Sequence, residues 1–106
     1  MRVLTGDDEL VVPVLFPIEI AAALSRTGSP ATAVERFVTP LVAAPTQLVT
    51  IGPRTARRIQ RVAMQLKLRA ADAAYVWLAM REMTPLVTSD GEILQRAVAV
   101  CQVQTP

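Results

Sequence analysis

Short apolar runs that alternate with helical segments are the feature that most constrains the fold of this chain. Leu10 to Leu15 is the clearest run, because it is apolar and valine-rich without polar alternation. Such a run is typical of a strand covered on both faces, as in a parallel sheet. Further strands are predicted at 47–51, 85–88 and 98–103, and helices at 17–26, from 29–30 to about Pro40, after Gly52-Pro53, at 70–83 and at 92–97. This order predicts one α/β domain over 1–106, a three-layer α/β/α arrangement around a short parallel sheet.

Composition excludes several kinds of site. Histidine is absent and Cys101 is the only cysteine, so an internal disulfide, a histidine-activated nucleophile and a histidine zinc site are all impossible. Hydrolytic chemistry would have to use carboxylates, hydroxyls and basic groups. Cys101 falls in the predicted last strand and is interpreted as a buried, inert thiol. A single cysteine fits a reducing compartment, and we expect a cytoplasmic protein.

The apolar content does not indicate a membrane protein. The longest uncharged stretch, 37–53, contains three prolines and several polar residues, so it cannot form a continuous spanning helix. Asp7, Asp8 and Glu9 lie where a signal peptide would need a basic segment leading into an apolar one. We therefore expect no membrane partner.

Three acidic residues fall near the predicted carboxyl ends of strands, where parallel α/β sheets bind their ligands. Glu19 lies four residues past the first predicted strand, in the expected first turn of the next helix. Asp90 lies two residues past Thr88, where the third predicted strand ends. Asp72 is expected in the first turn of the helix that feeds that strand. These positions predict a cluster of carboxylates at one edge of the sheet.

Carboxylates gathered at one edge repel each other and raise each other's pKa, and a divalent cation relieves that repulsion. Magnesium and manganese prefer oxygen ligands and keep positions open for water. Glu19, Asp72 and Asp90 are therefore the candidate Mg²⁺ or Mn²⁺ ligands and the candidate catalytic residues. This is chemistry suited to a phosphodiesterase that has no histidine.

Each acid also has a purely structural interpretation. Glu19 and Asp72 could favour the positive amino ends of their helices, and Asp90, which precedes Gly91, could cap the helix at 92–97. Taken singly, none of the three is specific for a metal site.

The combination of motifs resembles one family. The segment Leu68 to Ala79, which contains Asp72-Ala-Ala-Tyr, and the segment Pro85 to Asp90, which ends Leu-Val-Thr-Ser-Asp, resemble PIN-domain ribonucleases. They are similar in particular to the small VapC-like toxins of toxin–antitoxin pairs. Val11-Val12-Pro13 followed by Ile18-Glu19-Ile20 resembles that family's second strand and the helix after it.

The resemblance implies a parallel sheet sandwiched by helices and cleavage of RNA with magnesium or manganese held by about four acids. Glu19, Asp72 and Asp90 match three of those acids. Thr88 or Ser89 matches the hydroxyl that often assists beside the last acid. An antitoxin protein is the partner that the resemblance implies.

The chain departs from the family at its start. The family begins with a central strand that ends in an aspartate, and no such segment precedes Leu10 here. Residues 1–8 resemble the end of the preceding helix, and Asp7 and Asp8 lie in the wrong place to replace the missing acid. The chain thus resembles a family member truncated at its amino terminus, with the first central strand missing. We expect either direct pairing of strands 10–15 and 85–88 or a homodimer that covers the gap.

Two further surfaces have alternative interpretations. Arg54, Arg57, Arg58 and Arg61 share one face of the helix after Gly52-Pro53, which could contact RNA phosphates or simply be solvated. Ile20, Leu24, Phe37 and Leu41 could form an apolar groove for an antitoxin or could be core residues. Tyr75 and Trp77 are interpreted as core or interface residues rather than base-stacking platforms.

The sequence leaves competing functions open. The first is a metal-dependent endoribonuclease, such as a toxin neutralised by a partner. The second is a catalytically impaired remnant that binds a helix, RNA or itself without chemistry, which the missing first-strand acid favours. The third, an unrelated small α/β interaction module, would require Asp72 and Asp90 to be far apart.

Overall fold

A computed structural model gives the fold and describes residues 2–4, 10–43 and 46–105. Asp7, Asp8 and Glu9 lie outside the described residues. The strands are β1 (Arg2–Leu4), β2 (Leu10–Pro13), β3 (Gln47–Val49), β4 (Leu86–Val87) and β5 (Val103–Gln104). The helices are α1 (Leu15–Arg26), α2 (Ala31–Leu41), α3 (Pro53–Leu66), α4 (Ala70–Glu82) and α5 (Gly91–Ala97). The fold is a helix-rich α/β fold with short strands, as the sequence predicts.

The ends of the helices follow local sequence signals. Pro53 begins α3, where its missing backbone donor costs nothing. Asp90 caps α5, and Thr27 and Gly28 end α1 through backbone hydrogen bonds to Ala23 and Ser25. Because α1 begins at Leu15 rather than at the predicted 17, Glu19 lies in its second turn. The prediction that Glu19 sits in the first turn was wrong, and the helix-end explanation for this acid is correspondingly weak.

The sheet has the strand order β3-β2-β1-β4-β5. The outer pairs, β2 with β3 and β4 with β5, are parallel, as predicted. The central strand β1 is antiparallel to both β2 and β4. Residues 2–4 therefore form a strand and not a helix end, and the expectations of a missing central strand and of direct β2–β4 pairing were wrong. The argument for a homodimer rested on that gap, which the chain fills by itself.

The register of β1 aligns the two strands that flank it. Val3 lies opposite Val11 of β2 and opposite Leu86 of β4. Since both flanking strands run antiparallel to β1, they run parallel to each other, and their carboxyl ends reach the same edge of the sheet. We call this edge the site edge; Pro13 and Thr88 lie there, and β1 meets it with its amino end.

Helix α4 forms the centre of the core. All seven residues from Ala73 to Ala79 are buried, because α4 packs against β1, β2 and β4 on one side and against α3 along its length. Alanines at 73, 74 and 79 allow close approach, while Leu78 and Leu86 fill the largest fully buried positions. This packing holds the first turn of α4, and with it Asp72, in a fixed position.

The predicted last strand was placed too early. Val98 to Val100 form a turn instead, because the backbone N–H groups of Val100 and Cys101 both donate to the carbonyl of Ala97 and prolong the end of α5. Pairing resumes only at β5, where the Gln104 carbonyl accepts from the Thr88 N–H at 2.9 Å. Cys101 therefore lies outside the strand and is half-buried, with burial raising the pKa of its thiol.

Candidate active site

An open cavity of about 870 Å³ lies at the site edge and contains all three predicted acids. Its walls come from α1, the first two turns of α4, the end of β4 and the start of α5. The lining residues are Phe16, Glu19, Ile20, Ala22, Ala23, Arg26, Asp72, Tyr75, Thr88, Ser89, Asp90 and Ile93. Residues far apart in sequence thus meet where the strand-end rule predicts.

Asp90 has a structural role in this wall. Its Oδ1 accepts the backbone N–H groups of Glu92 at 2.9 Å and Ile93 at 3.3 Å, which caps α5. Both hydrogen bonds end on one oxygen, so Oδ2 takes no part in the cap. The side chain is exposed and borders the cavity, so capping and ligand binding are compatible at this residue.

Thr88 holds the turn that presents Asp90. It is 4% exposed, and its Oγ1 accepts the backbone N–H of Asp90 at 3.1 Å. Its hydroxyl is therefore already engaged in shaping the turn. Ser89, by contrast, is exposed and lines the cavity.

Asp72 lies in the first turn of α4 and is partly buried. Burial raises the pKa of its carboxyl, the negative charge of Asp90 raises it further, and the guanidinium of Arg69 opposes both. Asp72 and Asp90 line the same cavity, which agrees with the influence of the Asp90 charge on the pKa of Asp72. The structure therefore does not meet the condition of the third hypothesis, an unrelated interaction module in which Asp72 and Asp90 are far apart.

Glu19 is held by a residue that sequence reasoning did not assign to the site. The Tyr75 hydroxyl donates a hydrogen bond of 3.1 Å to Glu19 Oε1. Tyr75 is 4% exposed, and burial, followed by the negative charge of Glu19, raises the pKa of its phenol. Its place three residues after Asp72, on the same face of one helix, was the sequence signal that could have identified it. Trp77 is buried in the core, as predicted.

The three carboxylates line one cavity without forming a closed cage. Among the described residues, no three acidic or cysteine side chains are close enough together to hold a metal ion. Asp72 and Asp90 form an electrostatically coupled pair, whereas Glu19 is engaged by Tyr75 on the wall formed by α1. The central strand presents its amino end here and adds no acid from its residues 2–4.

Cations also surround the acidic pair. Arg26 lines the same cavity from the last turn of α1. A second, smaller concavity of about 170 Å³, which we call the notch, adjoins the cavity and is lined by Lys67, Leu68, Arg69, Asp72, Glu92, Ile93 and Arg96. Arg96 bonds Glu92 at 2.7 Å and donates to the carbonyl of Lys67, which fixes the α3–α4 turn.

The arginine face of α3 lies elsewhere. Arg54, Arg57, Arg58 and Arg61 are all exposed, as the helical period predicts, yet none of them lines the cavity or the notch. Helix α3 approaches the site only with its carboxyl end, and its 14 residues span about 20 Å. Arg54 therefore lies far from the acids.

The predicted apolar groove is only partly open. Ile20, Leu24 and Leu41 are half-buried where α1 packs against α2. Phe37 is 56% exposed, and the neighbouring helix exposes Ile18 at 61%. The α1–α2 pair thus exposes two large apolar side chains, Ile18 and Phe37, neither of which lines the acidic cavity.

Comparison with protein-family models shows which family this chain belongs to. The PIN domain model matches residues 1–99, nearly the whole chain. The chain belongs to the PIN domain family. Searches among curated proteins and among solved structures gave no match.

Membership in this family bears on what the carboxylates of the cavity can do. PIN domains are commonly nucleases that act on nucleic acid, typically with divalent metals. In this PIN domain the three acids line a cavity at the edge where β2 and β4 end, and the central strand runs antiparallel to its neighbours. Within the described residues, no helix is both long and apolar enough to cross a membrane.

Proposed function

We propose that this PIN domain is a magnesium- or manganese-dependent endoribonuclease whose acidic cavity receives an RNA phosphodiester. The observation that carries the proposal is the meeting of Asp72 and Asp90 with Glu19 in one solvent-open cavity at the site edge. Cations border that cavity, which favours a polyanionic substrate.

The donor chemistry fits a hard divalent cation. Carboxylate oxygens are the ligands that magnesium and manganese prefer, and the charge repulsion between Asp72 and Asp90 is a cost that a cation would remove. Asp72 and Asp90 would hold the ion, with Glu19 as the third acid of the cavity. Such an ion, when bound, lowers the pKa of a water molecule and neutralises charge on a phosphate.

The chain's own residues would then orient the reactants. Tyr75 fixes Glu19 through its hydrogen bond, and Thr88 fixes the backbone that carries Asp90. Glu19 is exposed on the cavity wall, where its carboxylate could accept a proton from water. Ser89 is the remaining free hydroxyl of the wall and the better candidate for an assisting role than the engaged Thr88.

Cleavage of a single-stranded RNA by purified protein tests the proposal. Asp90→Asn removes the charge but keeps an excellent helix cap, so folding should persist while cleavage falls by at least about a hundredfold. Glu82→Gln is the matched control, since it removes a carboxylate at the far end of α4 and should leave the rate unchanged. Equal rates for Asp90→Asn and the wild type would overturn the assignment.

A non-catalytic role is the second candidate. The absence of a three-residue metal cluster among the described residues and the reversed central strand both favour a PIN domain that binds without cleaving. Such a protein would bind RNA in the same cavity, and cleavage would be undetectable with either metal.

A more specific proposal is that this nuclease is a toxin inhibited by an antitoxin protein. An antitoxin segment with apolar side chains would cover the exposed Ile18 and Phe37 of the α1–α2 pair. If so, Phe37→Ser should abolish inhibition by that partner without changing cleavage by the free protein. Persistent inhibition of the Phe37→Ser variant would exclude this docking surface.

A further inference from the structure

Positive charge near the acidic pair falls in two places that belong to different elements. Arg26 lines the cavity but not the notch, whereas Lys67 and Arg69 line the notch but not the cavity. Asp72 and Ile93 line both, so they form the boundary between the two concavities. Cations thus line both of the concavities that Asp72 borders.

These cations are available to a ligand. Arg26, Lys67 and Arg69 are exposed, and the ion pairs among the described residues are Arg81–Glu82 and Arg96–Glu92. Arg96 is therefore compensated by Glu92, while the other three cations have no carboxylate within ion-pair distance in the described part of the chain. The hydrogen bond from Arg96 to the Lys67 carbonyl holds Lys67 and Arg69 at the rim of the notch.

Lys67 occupies a backbone position that does not favour lysine. Its φ is +56° at the end of α3, in the left-handed region where glycine is the usual residue. Met83 occupies the equivalent position at the end of α4 with φ +52°. Glycine at 67 would suit the backbone better, so a charge can be removed there without harm to the fold.

We propose that a single strand of RNA crosses the site edge with one phosphate at Arg26, the next at the acidic pair and another at Lys67 and Arg69. This RNA path rests on the proposed nuclease function and names the residues that would bind the RNA substrate. It replaces the arginine face of α3 as the main phosphate contact, because that face borders neither concavity.

Anisotropy of a labelled single-stranded RNA tests the path with the full chain and with Ca²⁺ in place of magnesium or manganese, so that a cation compensates the acidic pair while binding is measured apart from cleavage. The site variant is Lys67→Gly with Arg69→Gln, and the control is Arg57→Gln with Arg58→Gln, which removes the same charge from α3. The site variant should lose affinity on the order of tenfold and reduce the slope of log affinity against log salt by about 1.4, from two contacts at about 0.7 each. Arg26→Gln should reduce that slope by about 0.7.

The control variant should change affinity by less than about twofold. All variants should melt no lower than the wild type, and the circular dichroism melt separates lost contacts from lost folding. Equal losses in site and control variants would overturn the path while leaving the proposed nuclease standing. If the Lys67/Arg69 variant loses RNA affinity as expected but the wild type cleaves no RNA with magnesium or manganese, the nuclease proposal alone would be overturned. A wild type that binds no RNA would overturn both.

Discussion

Tyr75 is the residue that most changes the interpretation of the site. Two carboxylates, Glu19 and Asp72, approach its side chain from different helices, and its hydroxyl bonds the first of them. The phenol thus links α4 to α1 and holds the Glu19 side chain at the cavity wall. Sequence reasoning found the acids because strand ends gather ligands, but a tyrosine in an alanine-rich helix is equally compatible with a purely apolar environment.

Removing that hydroxyl should loosen Glu19. Tyr75→Phe keeps the packing and loses a hydrogen bond to a carboxylate, so the free energy of unfolding should fall by about 1 kcal/mol in urea titrations. Cleavage should fall as well, because Glu19 loses the hydrogen bond that positions its carboxylate. Tyr75→Phe should cause no further loss of cleavage in a Glu19→Gln protein; additive losses from the two substitutions would contradict the link.

Asp72 should make folding stability depend on pH in an unusual direction for an aspartate. Its folded pKa lies above the unfolded value of 3.8, so its neutral form is the one the fold favours. The stabilisation it contributes is present below pH 3.8 and is lost as the pH rises through the folded pKa. In the presence of EDTA, Asp72→Asn should therefore melt higher than the wild type at pH 7, and the difference should shrink towards pH 4. A difference that is constant with pH would contradict the assigned burial and coupling.

At the scale of elements, helices were predictable and short strands were not. The helices α1 to α5 carry period, cap and proline signals within their own residues, and their positions were confirmed with small shifts at the ends. Strand β1 has only three residues, and one of its two partner strands, β4, lies more than eighty positions away in the sequence. Valine-rich residues 98–100 have the composition of a strand, yet the backbone hydrogen bonds to Ala97 take precedence there.

Helix ends with positive φ provide a test at this scale. Met83 is 89% exposed and ends α4 with φ +52°. Because glycine adopts this conformation without steric cost, Met83→Gly should raise the free energy of unfolding by up to about 1 kcal/mol. Met80→Gly, within the same helix, should instead lower it by about 1 kcal/mol. A loss of stability at both positions in chemical denaturation would contradict the helix-end geometry.

At the scale of the whole molecule, the antiparallel central strand determines the composition of the site. A parallel central strand would bring its carboxyl end, and any acid there, to the site edge; β1 brings its amino end instead. The absence of a first-strand acid remains a prediction, because Asp7, Asp8 and Glu9 lie outside the described residues. The direction of β1 could not be predicted from residues 1–8. The separation of the acids also depends on how α1 packs on α4, which no local pattern determines.

The central position of β1 can be tested through its backbone. Val3→Pro removes an N–H group from the middle of the sheet, whereas Val3→Ala keeps it. An unpaired buried acceptor costs about 1–3 kcal/mol, so the proline variant should lose at least that much stability beyond the alanine variant. Equal denaturation midpoints for the two variants would show that β1 does not pair inside the sheet.

The central claim is that Asp72 and Asp90 hold a divalent ion, and calorimetric titration with Mn²⁺ tests it most directly. We expect one Mn²⁺ ion per chain, with affinity falling at least about tenfold in Asp72→Asn and in Asp90→Asn, because each variant loses an anionic oxygen ligand. Glu82→Gln should bind as the wild type does. Absence of binding at millimolar Mn²⁺, or equal affinity in all four proteins, would contradict the claim.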